Sequence, residues 1–252
     1  MAWVGRQTFG MGEAHRWLER RLCSHTFLSA DEIHGLHGLP INTRTFPADH
    51  AILTAGDRTT DSCVLISGTI CGSKLTAAGV RQVTNFYIPG DVPDLQTLHL
   101  PVMDHDLCTI TPATLGFMAH TALQELAHRY RGIGTALWRN ALIDSAIFRE
   151  WVVNLGGRPA SARLAHIFCE MFLRLRAVGL ARDDGYDLPL SQTELGEAAG
   201  LSTVHVNRCL RELRDEGLVA FRRGEVRILD WDRLTTKGDF DPVYLHLRDG
   251  PG

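Results

Sequence analysis

The sequence predicts an α+β fold in which an N-terminal antiparallel β-roll precedes a long helix and a C-terminal winged helix-turn-helix. Residues 27 to about 118 lack long helical periodicity, and glycines divide them into short apolar runs, a pattern typical of a β-roll or jelly-roll. Helical periodicity then extends from His120 to Leu155. Two short helices, a tight turn and a hairpin follow between Leu190 and Asp230. These observations predict four parts in chain order: an N-terminal helical segment (1–26), the β-roll (27–130), the long helix (131–157) and the winged helix-turn-helix (158–252).

The N-terminal half shows its strands as short apolar runs. Cys63 to Ile66 and Val83 to Ile88 are two such runs, and each is bounded by glycine-containing turns. A short helix around Glu13 to Leu22 precedes them. We therefore expect a helix that packs on an antiparallel β-structure.

The long helix carries an apolar stripe with coiled-coil spacing. Six residues recur at intervals of 4-3-4-3-4, which predicts a dimer seam. Burial of a large side chain there would contribute about 1.5–3 kcal/mol. The alternative is that the stripe packs on the β-roll of its own chain. The predicted seam residues are Leu137, Ala141, Asp144, Phe148, Trp151 and Leu155.

The stretch from Leu190 to Leu218 has the pattern of a DNA-reading helix-turn-helix. Ser191 and Glu194 form the S-x-x-E spacing of a capping box. Gly200 can adopt the left-handed conformation that ends a helix, and Ser202 can cap the next helix. One side of that recognition helix, residues 202–215, is apolar, and the other side is polar. The polar side carries Thr203, His205, Asn207, Arg208 and Arg211.

A hairpin follows the two helices and completes a winged unit. Leu218 to Phe221 and Val226 to Leu229 are predicted strands, and Arg222 and Arg223 lie in the turn that joins them. Asn and Arg can read base edges in a major groove, and exposed arginines can contact phosphates. The unit therefore predicts sequence-specific binding of double-stranded DNA.

The composition agrees with an intracellular protein. The chain has no apolar run of membrane length and no secretory leader, which predicts a cytoplasmic protein without a membrane partner. Six scattered cysteines include no CxxC pair, as expected for reduced thiols. The formal net charge is −3, so attraction to DNA has to come from local arginine placement.

Together these parts resemble the cyclic-AMP receptor and fumarate-nitrate regulator (Crp/Fnr) family of bacterial transcription factors. Several segments carry the resemblance: Gly56-Asp57, Ile66-Ser67-Gly68, Pro89-Gly90-Asp91, the long helix, and the whole helix-turn-helix from Leu190 to Leu218 (the reader). It implies a homodimer on a pseudo-palindromic operator, a cyclic-nucleotide-binding-like β-domain that acts as sensor or scaffold, and RNA polymerase as a further partner.

The resemblance also implies the DNA contacts. Val204, Asn207 and Arg208 would face bases, although the family commonly has glutamate at the position of Val204. Ser191, Gln192 and Ser202 would contact phosphates. The neighbouring polar side chains and the wing arginines complete the predicted phosphate contacts: Thr203, His205, Arg211, Arg222 and Arg223.

The effector segment departs from the family pattern. Cyclic-nucleotide-binding members place a glutamate and an arginine around the cyclic phosphate. Here Asp94 takes the place of the glutamate, and no arginine lies between Arg81 and Arg129. Asp104 and Asp106 would repel a phosphate. We therefore predict no binding of cyclic AMP or cyclic GMP, no cofactor, and an effector that is unidentified or absent.

The sequence also bears on other sensors and on other functions. Iron–sulfur members have an N-terminal cysteine cluster, whereas Cys23 alone precedes Cys63 here. A metal site at His99, His105 and Cys108 is the weaker alternative to ordinary loop side chains, and it would fit a cupin-like metal-dependent enzyme. A winged helix that binds protein partners is the other alternative. The polar recognition face favours a DNA-binding regulator that is not an enzyme.

Overall fold

The computed structural model describes residues 12–100 and 102–248, and it begins with two helices. Helix α1 spans Glu13–Cys23, where a helix was predicted, and α2 spans Ala30–His37. The second helix was not predicted, because residues 27–130 were assigned to the β-roll. Its N-cap is Ser29, whose hydroxyl accepts the amide of Glu32 while the Glu32 carboxylate accepts the amide of Ser29. This capping box makes so short a helix stable.

The β-roll consists of two antiparallel sheets, as the sequence predicts. One sheet has the order β1-β7-β3, and the other has the order β2-β6-β4-β5. Apolar side chains from both sheets fill the space between them, including Leu65, Ile70 and Leu107. The strands are β1 (Asn42–Phe46), β2 (Ala51–Leu53), β3 (Asp61–Ser67), β4 (Ile70–Leu75), β5 (Arg81–Tyr87), β6 (Asp106–Thr109) and β7 (Ala113–Ala119).

Two glycines of the predicted turns sit where a side chain would not fit. Gly68 has φ 89°, and a Cβ there would lie 2.5 Å from the carbonyl oxygen of Pro112. Gly90 has φ 100°, and a Cβ there would lie 3.1 Å from the carbonyl oxygen of Trp17 in α1. Positive φ and close backbone contact both favour glycine. The two turns therefore hold the strands and α1 together.

The predicted helical stretch from His120 to Leu155 is divided into two helices. Helix α3 spans His120–Arg129 and α4 spans Arg131–Gly157, with Tyr130 in an extended conformation between them. The Glu32 carboxylate of α2 accepts the amide of Gly132 at 2.8 Å, which satisfies a free donor of the first turn of α4. Because of this break, α4 begins as a separate helix whose first turn contacts α2.

The C-terminal part is a helix-turn-helix with a small sheet. The sheet has the order β10-β11-β9-β8, so the predicted hairpin of two strands gains two further strands. A short 3-10 turn, Pro242–Leu245, follows the last helix. The elements are α5 (Ala160–Ala177), β8 (Ala181–Arg182), β9 (Gly185–Asp187), α6 (Gln192–Ala199), α7 (Thr203–Asp215), β10 (Val219–Arg222), β11 (Glu225–Ile228) and α8 (Trp231–Lys237).

One hydrophobic core joins the β-roll to the C-terminal part. Val83 and Phe86 of β5 pack in the same cluster as Trp151 of α4, Phe168 of α5 and Leu195 of α6. The C-terminal part therefore rests directly on the β5 side of the β-roll. None of the described helices is both long enough and apolar enough to cross a membrane.

Candidate nucleic-acid interface

The helix-turn-helix is fixed by local contacts that the sequence predicts. The Ser191 hydroxyl accepts the amide of Glu194 at 3.2 Å, and the Glu194 carboxylate accepts the amide of Ser191. Gly200 has φ 64°, the left-handed conformation expected at the end of α6. A Cβ on Gly196 would lie 2.5 Å from the carbonyl oxygen of Leu201. The predicted capping box is confirmed, and the turn between the two helices folds back too closely on α6 for a side chain at Gly196.

Helix α7 has one sealed face and one exposed face. The Ser202 hydroxyl caps it by accepting the amide of His205 at 3.3 Å. Val206, Cys209 and Leu213 are buried against α5 and α6. Val204 is 81% exposed, which places it on the outer surface of the helix. Thr203, Asn207, Arg208 and Arg211 are exposed beside it.

The polar side chains on this face contact one another in pairs. The Gln192 amide donates to Asn207 Oδ1 at 3.0 Å, and the Asn207 amide donates back to Gln192. The Arg208 guanidinium lies 2.7 Å from His205 Nε2. These contacts bring Gln192 of α6 and three of the predicted DNA-contacting side chains of α7 together on one exposed face. In the absence of DNA, the hydrogen-bonding groups of Asn207 and Gln192 satisfy one another.

The wing presents two exposed arginines at its turn. Arg222 ends β10, and Arg223 and Gly224 have φ 53° and 78°. Positive φ angles at two successive residues are typical of the tight turns that join antiparallel strands. Elsewhere on this sheet, Arg182 contacts Asp187 and Glu225, and Arg227 contacts Asp184. The turn thus holds Arg222 and Arg223 at the outer tip of the sheet.

The exposed face of α4 is one residue out of register with the predicted seam. Leu137 is only 5% exposed and Trp151 only 3% exposed, so both belong to the core of the single chain. The Trp151 indole donates to the Glu170 carboxylate at 3.0 Å, which explains why its ring faces inward. In the single chain these two side chains are therefore not available to a partner, and the seam as a whole stays a prediction. The exposed stripe has the spacing 3-4-3-4-3-4 and consists of Thr135, Trp138, Leu142, Ser145, Arg149, Val152 and Gly156.

The other predicted seam residues face neighbouring elements of the same chain. Ala141, Asp144 and Phe148 line a cleft between α4 and the β-roll. Leu155 lies beside Gly200 in the turn of the helix-turn-helix. Dimerisation through α4 stays a prediction, and the face available for it is the exposed stripe.

The cleft has a volume of about 450 Å³ and a mixed lining. The His105 Nδ1–H donates to the Asp104 carboxylate at 2.8 Å, whereas the buried Nε2 of His105 has no hydrogen-bond partner in the described part of the chain. Lys74 lies 3.6 Å from Asp104. Among the described residues that line the cleft, there is no arginine. The lining is Lys74, Thr84, Tyr87, Pro93, Leu95, Gln96, Leu100, Val102, Asp104, His105, Ala141, Asp144, Ser145 and Phe148.

Asp94, the residue at the place of the family's glutamate, does not line the cleft. It is 1% exposed, and its carboxylate accepts the amide of Cys63 at 2.8 Å. Burial raises the pKa of Asp94 to about 7, and the hydrogen bond from Cys63 opposes that rise. Asp94 is therefore a structural link between β3 and the segment after β5.

The candidate metal ligands are not brought together. His105 lines the cleft, whereas Cys108 packs on the opposite side of β6, against the core shared with the C-terminal part. His99 follows the 3-10 turn Leu95–Leu98. Over residues 12–100 and 102–248, no group of three His, Cys, Asp or Glu side chains could hold a metal ion. The alternative metal site is thus not assembled there.

A buried network of charges connects the cleft region to the C-terminal part, and the sequence did not predict it. Arg174 of α5 donates to Asp91 and to Glu170, both at 2.9 Å. Arg21 of α1 lies 3.3 Å from both Asp91 and Asp144. The four-residue spacing of Glu170 and Arg174 was visible in the sequence, but their burial was not. Side chains from α1, α4, α5 and the turn after β5 therefore meet at one point.

Comparisons with known proteins agree with this geometry. Residues 162–236 match the Crp-like helix-turn-helix domain. The chain is 23% identical over 205 residues to the transcriptional activator protein FnrL of Cereibacter sphaeroides, which covers 79% of this chain and 81% of FnrL. It is 24% identical over 212 residues to the transcriptional activator protein Anr of Pseudomonas aeruginosa, which covers 83% of this chain and 85% of Anr.

Solved structures show the same fold. FixK2 from Bradyrhizobium japonicum superposes with a TM-score of 0.72 at 23% identity, over 79% of this chain and 97% of FixK2. The c-di-GMP responsive global regulator CLP of Xanthomonas campestris superposes with a TM-score of 0.61 at 18% identity, over 80% of this chain and 100% of CLP. The predicted fold class, a β-roll followed by long helices and a winged helix-turn-helix, is confirmed.

Proposed function

We propose that this chain, a DNA-binding transcriptional regulator of the Crp/Fnr family, acts as a homodimer that inserts two copies of α7 into successive major grooves of a pseudo-palindromic operator. The observation that carries the proposal is the exposed face of α7, where Val204, Asn207 and Arg208 project from a helix whose other face is sealed. Recognition helices of dimers read half-sites about 34–36 Å apart.

Each side chain of this face has a distinct role. Arg208 can donate two hydrogen bonds to a guanine, and Asn207 can pair with an adenine edge once it leaves Gln192. Val204 offers an apolar surface that suits the methyl group of a thymine. Phosphates are bound by the helix starts at Ser191 and Ser202 and by Gln192, Thr203, His205, Arg211, Arg222 and Arg223. These contacts position the reader, whereas the base contacts supply specificity.

The dimer forms through the exposed stripe of α4. Trp138 is 62% exposed, Leu142 49% and Val152 70%, and the three lie on one side of the helix. Burial of each against a second copy contributes about 1.5–3 kcal/mol. The coiled-coil spacing of the stripe favours a symmetric helix pair.

The cleft between α4 and the β-roll is the place from which a signal would act, because any ligand there touches both elements. The Asp104 carboxylate disfavours a cyclic phosphate, and Lys74, which also lines the cleft, already contacts Asp104. Among the described residues that line the cleft, none is an arginine that could neutralise a phosphate. We propose that the protein binds neither cyclic AMP nor cyclic GMP and carries no iron–sulfur cluster. It acts in the cytoplasm, with RNA polymerase as its partner and without catalysis.

DNA binding is tested by selecting bound duplexes from random oligonucleotides with the purified full-length protein. We expect enrichment of an inverted repeat whose half-site centres are one helical turn apart. Recovery of single half-sites, or of no sequence at all, would contradict the proposal. If the winged helix bound a protein partner in place of DNA, no sequence would be enriched.

The dimer face is tested by one substitution on the exposed stripe of α4 and one on the side that faces the cleft. Val152→Glu should convert the dimer to a monomer in analytical ultracentrifugation, because two carboxylates would be buried at the symmetric contact. The matched variant Phe148→Ala changes the originally predicted seam and should remain dimeric. A dimeric Val152→Glu together with a monomeric Phe148→Ala would instead support the originally predicted seam.

Effector selectivity is tested by titration calorimetry with cyclic AMP and cyclic GMP. We expect no heat of binding for either nucleotide at ligand concentrations up to about 1 mM, where a site of useful affinity would be saturated. Micromolar binding of either one would overturn this part of the proposal.

A further inference from the structure

Two cysteines lie side by side on adjacent strands of the β-roll sheet that supports the reader. Cys71 of β4 and Cys108 of β6 are direct partners in the antiparallel pairing of these strands. Cys71 is fully buried in the core that the β-roll shares with the C-terminal part, and Cys108 packs against the same core. Both thiols are free. They therefore form a close thiol pair at the junction between the β-roll and the DNA-reading domain.

The geometry is near that of a disulfide. Directly opposed residues of an antiparallel pair have Cβ atoms about 4.5–5.5 Å apart. A disulfide needs a Cβ separation of about 3.5–4.5 Å. An approach of roughly 1 Å between the strands would therefore allow the bond. At present the Cys71 thiol points to the carbonyl oxygen of Cys108, with Sγ and O 3.7 Å apart.

A single guanidinium links this thiol pair to the reader. Arg81 Nη2 donates to Cys71 Sγ at 3.0 Å, and its Nη1 donates to the Glu197 carboxylate of α6 at 2.8 Å. The Arg81 Nε donates to Ser73 Oγ at 3.2 Å. The neighbouring Gln82 amide donates to the backbone carbonyl of Glu197 at 2.6 Å. One nitrogen of the Arg81 guanidinium therefore binds the Cys71 thiol, and another binds the first helix of the reader.

We propose that Cys71 and Cys108 are an oxidisable thiol pair, and that its conversion to a disulfide is transmitted through Arg81 to helix α6. The disulfide removes the Cys71 thiol from its contact with Arg81. It also draws β4 towards β6, and β4 is the neighbour of β5, the strand on which α6 packs. The contact between Arg81 and Glu197 then loses part of its support, and α6 is held less firmly on the β-roll.

A peroxide is the oxidant that balances the reaction. The Cys108 thiolate attacks hydrogen peroxide, its sulfur gains one oxygen, and hydroxide leaves and takes up the thiol proton as water. The Cys71 sulfur then attacks the sulfenic sulfur of Cys108; the S–S bond forms, the S–O bond breaks, and a second water leaves. Two thiols lose two electrons in total, and one peroxide is reduced to two waters.

Cys108 is the more accessible of the two thiols, so it is the one that reacts first. Burial raises the pKa of Cys108, and the Arg81 guanidinium opposes that rise. Burial raises the pKa of Cys71 further, to about 11. Because the thiolate is the reactive form, the pair reacts slowly, and exposures of about an hour suit the test.

The test uses the purified full-length protein, reduced and then exposed to hydrogen peroxide. After denaturation and labelling with N-ethylmaleimide, we expect four labels in place of the six that the reduced chain accepts. Peptide mapping should identify a Cys71–Cys108 link. Amide hydrogen exchange over residues 192–199 should become at least about 3-fold faster in the oxidised protein, because the support of α6 is weakened.

Two variants separate this proposal from general oxidation. Cys71→Ser combined with Cys108→Ser should show no change in α6 exchange with peroxide, whereas Cys23→Ser should respond as the parent chain does. Six labels after peroxide, a link that involves other cysteines, or a Cys71–Cys108 link with unchanged exchange in α6 would each overturn the proposal. None of these readouts requires DNA, so the DNA-binding proposal is tested independently.

Discussion

The DNA-reading surface and the cleft region arrange their charges in opposite ways. On the reader, Arg208 and Arg223 are exposed on short elements whose shape depends on residues a few positions away. Around the cleft, Arg21 and Arg174 are 2% exposed and contact carboxylates that are distant in sequence. Exposed charges are available to a ligand, whereas buried charges mainly hold elements together. The comparison indicates that one region determines binding and the other determines conformation.

The largest effect should come from the buried network. Arg174→Met leaves Asp91 and Glu170 buried without their main cation, so we expect the free energy of unfolding to fall by about 3–5 kcal/mol. Chemical denaturation followed by circular dichroism measures this change. Arg227→Ala removes an exposed ion pair with Asp184 and should leave the unfolding midpoint unchanged. Equal effects of the two variants would remove the distinction between the regions.

The next effect concerns base reading. Arg208→Ala should reduce discrimination at one base pair by about 1–3 kcal/mol, because a bidentate contact to a base is lost. Affinities for the selected operator and its single-base variants measure this loss. Arg223→Ala should instead weaken binding to all duplexes and lower the slope of log affinity against log salt by about 0.9. A uniform loss of affinity in Arg208→Ala would make that residue a phosphate contact.

The smallest effect, taken per pH unit, is a dependence of stability on pH that originates beside the cleft. The unfolded chain ionises Asp94 near its ordinary pKa of 3.8, whereas burial keeps the folded carboxyl protonated up to a pKa of about 7. The folded state therefore holds the extra proton between these values, and stability falls as the pH rises through them. Asp94→Asn keeps an acceptor for the Cys63 amide and removes the ionisation.

The quantity to measure is the difference in free energy of unfolding between Asp94→Asn and the parent chain. It should grow in favour of the variant from about pH 4 to pH 7, by at most about 1.4 kcal/mol per pH unit. Comparison of the two chains cancels the contributions of the histidines. A difference that is constant with pH would show that Asp94 ionises normally in the folded protein.

The same contrast explains what could be predicted from the sequence. The reader was predicted through Ser191, Glu194 and Gly200, because capping and turn geometry depend on adjacent residues. The same S-x-x-E spacing at Ser29 and Glu32 marks α2, and it could have revealed that helix. Helix caps and turns can therefore be predicted from residues that are close together in the sequence.

The seam and the cleft depend on which face of a helix meets which partner. A shift of one residue turns a helix by about 100°, and α4 carries apolar side chains on both its buried and its exposed faces. Spacing alone could not distinguish Trp151, which binds Glu170, from Val152, which is exposed. The cleft unites residues from β4, β5, the segment between β5 and β6, and α4, and no local pattern places these together.

The sealed inner face of α7 has a consequence for how such a protein diversifies. Val206, Cys209 and Leu213 anchor the helix from within, so Val204, Asn207 and Arg208 bear little of the cost of keeping it folded. New combinations at these outward positions can be accepted without loss of the scaffold. A lineage could therefore acquire a different set of target promoters through a handful of substitutions, while everything beneath the surface stays as it was.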